Sequence, residues 1–276
     1  MTGISGLADA LIVDTHVHVW PHGMVHPAQR VQVPMEAAPA DLVATLDAGG
    51  VSAAVVCPAM VYPNNGYVLG FAGTLPERIL AVVLIDPRDR AAVELVPRHA
   101  AQGAIGVRVN AHAMPLESDE DLAGLDAMVD AASSAGLVIQ WTVPLSSAGL
   151  IERAAARAHN TRQVLDHLGL PVDASDLTAL DRIRALAAIP GLNVKLSGMY
   201  NLSRDGYPYA DTWPWIEAVV DAFGPQRTMW GSDWPFVGEH GSYIQQLALI
   251  EQMPFLDTAA RRSILRDTAI QVWSRP

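Results

Sequence analysis

An α/β barrel of eight parallel strands is the fold class this sequence predicts, and three observations predict it. Short β-rich runs alternate with helical patterns along the whole chain, eight such runs can be counted, and polar residues gather where the runs end. The first run is Ile12–His18, the second Ala53–Cys57 and the third Ile79–Asp86. Ile105–Asn110, Leu137–Val143, Gln163–His167, Asn193–Ser197 and Thr228–Asp233 complete the set. In an extended strand alternate side chains share a face, so His16 and His18 point the same way, with Asp14 two residues deeper on that face.

Between the strands the helical stretches are Ala40–Ala48, Arg90–Gln102, Leu122–Ala135, Ser147–His159, Thr178–Ala188 and Trp213–Phe223, and Thr258–Trp273 reads as a closing helix. Several stop at Gly or Pro, as in Ala48-Gly49-Gly50, Ala135-Gly136 and Ile189-Pro190-Gly191, before the next strand begins. Two connections are too long to be turns. Val19–Pro39 follows strand one and carries His22, His26 and Arg30; Met199–Asp211 follows strand seven and carries Tyr200, Asn201, Arg204, Tyr207 and Tyr209. Both would lie over the barrel mouth, where ordered loops shape specificity. Asn64-Asn65-Gly66-Tyr67 after strand two reads first as a simple turn.

Composition bounds the rest. The 276 residues suit one domain, 1–276, and half of them are hydrophobic against 17% charged, enough for a large core. Apolar runs are broken by Gly, Pro or charge before they could span a bilayer, and Met1–Leu11 lacks the pattern of an export signal, so a cytoplasmic protein is expected. The single Cys57 excludes an internal disulfide framework. A formal charge of -11 without a basic cluster argues against nucleic acid or anionic membranes as partners. The outer helices show no heptad seam, so a homo-oligomer is left open.

The strand ends carry the chemistry. Strand one presents His16 and His18, strand four Arg108 and Asn110, strand five Gln140 and Thr142, strand six His167, strand seven Lys195 and Ser197, strand eight Asp233. Polar groups at so many strand ends are costly to bury without partners, which favours a shared site over chance. Paired imidazoles can grip one ion or one substrate oxygen, although an isolated His-x-His is equally a buried strand with one ring capping a carbonyl. Lys195 has a plain structural reading as partner of Asp14, and Asp166 is expected opposite His167, facing the helices.

Taken together, Asp14-Thr15-His16-Val17-His18, Gly106-Val107-Arg108, Val164-Leu165-Asp166-His167-Leu168-Gly169-Leu170-Pro171, Val194-Lys195-Leu196-Ser197-Gly198 and Trp230-Gly231-Ser232-Asp233-Trp234-Pro235 resemble the amidohydrolase superfamily. The resemblance is to its amidohydrolase-related (family 2) branch, which includes 2-pyrone-4,6-dicarboxylate lactonase, sulfomuconolactone hydrolase and sugar lactonases. It implies a barrel enzyme that hydrolyses a cyclic ester. By that resemblance Asp233 is the general base, with His16, His18 and His167 around it as donors to the carbonyl or as metal ligands. Arg108, Gln140, Lys195, Tyr200 and Asn65 become candidate substrate contacts.

His16, His18, His167 and Asp233 would form a set for one zinc or manganese ion. The branch also has members that work without metal, and both remain open at this point. A two-metal centre is disfavoured, because strand four offers Arg108 and Asn110 where binuclear relatives place a bridging lysine or carboxylate. Asn201 stands where the pyrone dicarboxylate enzymes carry an arginine, which weakens a dicarboxylate substrate. The partner expected is thus a small lactone or related carboxylate. A metal-dependent decarboxylase or amide hydrolase on the same scaffold, and a non-catalytic ligand-binding barrel, are the alternatives.

Overall fold

A computed structural model of the chain describes residues 11–26, 33, 35–171 and 179–274. Among them eight parallel strands follow one another around a barrel in sequence order: β1 (Val13–Val17), β2 (Ala53–Val56), β3 (Ile79–Leu84), β4 (Gly106–Val109), β5 (Val138–Trp141), β6 (Gln163–Leu165), β7 (Leu192–Leu196) and β8 (Thr228–Trp230). Helices cover the outside and side chains fill the inside, so the strands are buried on both faces. That is why β2 and β3 read as unbroken Ala, Val, Ile and Leu rather than as an alternating pattern. All eight expected runs are present, shortened mainly at their polar ends, which belong to the loops.

The barrel closes at its C-terminal rim, just beyond the regular strands. His18 N–H donates to the Trp234 carbonyl (2.8 Å) and Asp233 N–H to the His16 carbonyl (2.9 Å). Deeper along the same seam the Thr15 hydroxyl donates to the Trp230 carbonyl (2.6 Å). Gly231 lies where β8 meets β1, and a Cβ there would come within 2.7 Å of the His16 Cβ.

The helices are α1 (Pro39–Ala48), α2 (Asn65–Thr74), α3 (Ala92–Ala101), α4 (Asp119–Ser134), α5 (Gly149–Arg157), α6 (Leu180–Ala187), α7 (Trp213–Phe223), α8 (Tyr243–Gln252), α9 (Thr258–Arg262) and α10 (Thr268–Trp273). Two of them were not expected. Residues 64–67 are not a simple turn but the start of α2, with Asn64 accepting from Tyr67 N–H (3.0 Å) as its cap. Three glycines inside α2 blur its periodicity; packing of Val68, Leu69 and Phe71 holds it instead. α8 opens with a reciprocal cap between Ser242 and Gln245, a Ser-x-x-Gln signal present in the sequence. Thr178, the expected start of α6, lies outside the described residues. None of the described helices is long and apolar enough to cross a membrane.

The closing helix is α9 and α10 joined by a π turn at Ser263–Asp267. Its end seals the barrel floor: Val272 and Trp273 pack with Val13, Val55, Leu80, Ile105, Val138, Val164 and Met229 in one buried cluster. Arg162 holds it there by donating to the carbonyls of Val272 (2.6 Å) and Ser274 (2.8 Å). Replacing a fully buried indole by a methyl leaves a cavity in a layer that cannot collapse. Trp273→Ala is therefore expected to lower unfolding stability by about 3–5 kcal/mol, read from the midpoint of urea denaturation.

Candidate active site

The first site residues owe their direction to a slip in β1. Asp14 pairs with Ala54 but Val17 with Val56, so one extra residue is accommodated between them. Such a bulge resets the alternation of side chains. His16 and His18 face the barrel mouth, whereas Asp14, expected beside them, turns to the helix layer. There its Oδ1 accepts from Ser232 N–H (2.9 Å) and His16 N–H (3.1 Å), and its Oδ2 from the Tyr243 hydroxyl (2.9 Å). Burial raises its carboxyl to about 6 against the pull of those hydrogen bonds.

At β6 the expectation is also corrected. Asp166 does not face the helices. His167 and Leu168 take left-handed backbone angles (φ 52° and 57°), so the chain leaves the strand directly after Asp166 and both Asp166 and His167 are directed to the interior. Gly198 in the next loop is at φ 63°, and a Cβ on it would lie 2.7 Å from His167 Nδ1. Only glycine lets the β7 loop pass that close.

Asp166 is the fully buried anion of the site. Lys195 Nζ lies 3.2 Å from its Oδ1 and Arg108 Nε 3.4 Å from its Oδ2. Gln140 Nε2 (3.0 Å) and the Thr142 hydroxyl (2.7 Å) donate to Oδ2. Burial alone would raise the Asp166 carboxyl, but Lys195, His16 and Arg108 hold it well below the usual carboxylate range. Lys195 thus pairs with Asp166, not Asp14, and its Nζ also lies 3.2 Å from His16 Nδ1. Arg108 further donates from Nε to the Thr142 hydroxyl (2.8 Å) and from Nη1 to the Pro58 carbonyl (3.1 Å).

Above this floor sits Asp233, itself at φ 64°. Its Oδ1 lies 3.3 Å from His18 Nε2 and 3.6 Å from His16 Nε2, and its Oδ2 accepts a 2.6 Å hydrogen bond from the Tyr200 hydroxyl. The His16 ring is 5.0 Å from that of His18 and 4.6 Å from that of His167. His18 Nδ1 donates to the Cys57 carbonyl (2.7 Å), and His167 Nδ1 meets the Ser197 hydroxyl (3.0 Å). Burial works against charge on His18, yet Cys57 and Asp233, which face its two nitrogens, raise it to about 9. Burial keeps His16 and His167 below the ordinary histidine value. Asp233 stays ionised although buried, since His167, His18 and His16 outweigh the burial.

The structure therefore brings together His16, His18, His167, Asp233, Arg108, Gln140, Lys195 and Tyr200. Gln140 and Lys195 are fully buried one layer beneath the mouth and touch Asp166. Asn65, expected as a substrate contact, instead spends its carboxamide on Leu84: Nδ2 donates to the carbonyl (2.8 Å) and Oδ1 accepts from N–H (2.7 Å), tying α2 to β3. Among the described residues of the two long loops only Tyr200 reaches the carboxylate. His22 pairs with Glu36 at the surface (2.9 Å), Tyr207 and Tyr209 bond Gln252 and Gln246 of α8, and Arg30 lies outside the described residues. Asp166 was missed as a functional group, although inward Arg108, Gln140 and Lys195 on three other strands already called for a shared anion.

The donor set also admits a metal. His16 Nε2 is buried with no hydrogen-bond partner. His16, Asp166 and His167 offer ligand atoms within 4.8 Å of one another, as do His16, His18 and Cys57.

A (β/α)8 barrel that gathers a carboxylate and three imidazoles at the C-terminal ends of its strands carries them where barrel enzymes place their active sites. The chain belongs to the amidohydrolase family, whose profile matches residues 13–275. An L-fucono-1,5-lactonase of Burkholderia ambifaria is 27% identical over 278 residues, 93% of each chain. A 4-sulfomuconolactone hydrolase of Hydrogenophaga intermedia is 28% identical over 235 residues, 82% of this chain and 75% of that enzyme. The crystal structure of an amidohydrolase from Burkholderia multivorans with bound zinc superposes with a TM-score of 0.76 at 24% identity, over 97% of this chain and 100% of that one.

Removing one member of a buried ion cluster strands the others. Asp166→Asn is expected to cost about 3–5 kcal/mol of stability by leaving Lys195 and Arg108 without a counter-charge. Asp166→Asn combined with Lys195→Met should recover part of that loss; chemical denaturation of the three proteins checks both.

Proposed function

We propose that this protein opens a small cyclic ester, with Asp233 as the base that activates water. The observation that carries the reading is the setting of Asp233: ionised, held at Oδ2 by Tyr200, and with Oδ1 turned to His16 and His18 at the mouth. A neutral ester carbonyl needs a deprotonated water on one side and donors near its oxygen as the tetrahedral anion forms. Asp233 takes the proton from water as the new C–O bond forms. Arg108 and His18, both lining the same cavity, lie where they can stabilise the oxyanion. When the intermediate collapses, the ring C–O bond breaks and Asp233 returns its proton to the leaving oxygen, giving a hydroxy acid.

His16, His18, His167 and Asp233 would hold a single zinc ion, His16 being shared by both groups of ligand atoms that lie within 4.8 Å of one another. His18 Nδ1 bonds a backbone carbonyl and His167 Nδ1 a hydroxyl, the kind of outer contact that leaves each Nε2 for a ligand. When bound, zinc makes a water more acidic and polarises a carbonyl. The neighbour from Burkholderia multivorans holds zinc, and the two curated relatives are named for lactones.

Asp233→Asn preserves shape and removes the base. Turnover of lactones, followed by proton release, is expected to fall by roughly 10³-fold or more, since general-base catalysis alone contributes 10²–10⁴, while binding measured by calorimetry persists. Unchanged turnover would take Asp233 out of the reaction. Metal analysis of the purified protein should find about one equivalent of zinc, with activity falling on chelation and returning on zinc addition.

A further inference from the structure

On the lactonase reading, the cavity at Asp233 also narrows the substrate. It holds about 180 Å³, comparable to the roughly 150 Å³ of a cavity that accepts a benzene ring. Four of its lining residues carry the polar groups: His18, Arg108, His167 and Asp233. The other four are hydrocarbon. Ala59, Met60 and Val61 come from the turn after β2, fixed by the Tyr62 N–H donating to the Ala59 carbonyl (2.9 Å). Phe236 completes the wall, edge-on to His18 (5.4 Å) and tilted against Trp20 (5.6 Å).

Arg108 is the one guanidinium among the described residues that line this cavity, and its charge is already answered by Asp166. Its Nε and Nη1 are spent on Thr142 and Pro58. A substrate with two carboxylates would meet one compensated cation among the described lining residues, and a polyhydroxylated ring would press hydroxyls against a thioether, methyls and a phenyl ring. Each hydroxyl stripped of water there without a partner weakens binding by roughly tenfold.

We infer that the preferred substrate is a neutral five- or six-membered lactone bearing a short alkyl arm, which lies on the wall of Ala59, Met60, Val61 and Phe236 while the carbonyl faces Asp233. Specificity then comes from the β2 turn and Phe236. Neither a sugar lactone nor a lactone with several anionic groups matches that wall.

The test compares kcat/KM, by proton release, for γ-valerolactone and δ-hexalactone against glucono-1,5-lactone and a carboxylate-bearing muconolactone. The alkyl lactones are expected to lead by tenfold or more. In Met60→Gln and Val61→Thr the advantage of δ-hexalactone over unsubstituted δ-valerolactone should shrink at least threefold. A lead for the sugar or carboxylated lactone overturns the substrate inference and leaves lactone hydrolysis standing. If no lactone is opened, calorimetry separates the two claims: wild-type protein that binds δ-hexalactone above glucono-1,5-lactone supports the apolar wall and removes the hydrolytic reading, and binding of neither overturns both.

Discussion

Two backbone hydrogen bonds at the β1–β8 seam, Asp233 N–H to the His16 carbonyl and His18 N–H to the Trp234 carbonyl, decide most of what this molecule can do. They are the bonds by which the barrel closes at its rim. Because the donors and acceptors belong to His16, His18 and Asp233, closing the barrel and placing the carboxylate on the imidazoles are one event. Misalignment of the site would also cost closure of the sheet, so its geometry is held by the stability of the whole fold. The left-handed backbone of Asp233, a costly conformation for a residue with a Cβ, is tolerated because the seam fixes it from both sides.

Beneath that rim the polar floor solves a different problem. Lys195 and Arg108 are cations from which water is almost wholly excluded, and charges so placed are tolerated only when compensated. Asp166 compensates both, with Gln140 and Thr142 donating to its Oδ2. The consequence reaches the mouth through Lys195, which fixes one nitrogen of His16 and leaves the other aimed at Asp233. Order among the groups at the mouth is thus inherited from the buried layer beneath it.

The mouth itself has two unlike halves. Charged and hydrogen-bonding groups come from strand ends around the barrel, while the turn after β2 and Phe236 supply hydrocarbon. Strand ends thus supply the polar groups and loops the apolar ones, the division by which one barrel scaffold can keep its chemistry while its loops vary.

Much of this was legible in the sequence. Runs of Val, Ile and Leu with helical stretches between them fixed eight parallel strands, and strand-end His16, His18, Arg108, His167, Lys195 and Asp233 marked the mouth, because period and polarity are written locally. α2 was hidden by its glycines. The directions of Asp14 and Asp166 were misread, since strict alternation was assumed where β1 carries a bulge and where β6 ends in left-handed backbone. Asn65 looked like a ligand contact because nothing in its neighbourhood along the chain shows the Leu84 backbone it bonds. The sequence by itself determined which side chains are available and at which strand ends they sit. Only the tertiary structure decided which way each one turns and what answers its charge, because bulges, left-handed residues and buried counter-ions are set by contacts between strands far apart in the chain.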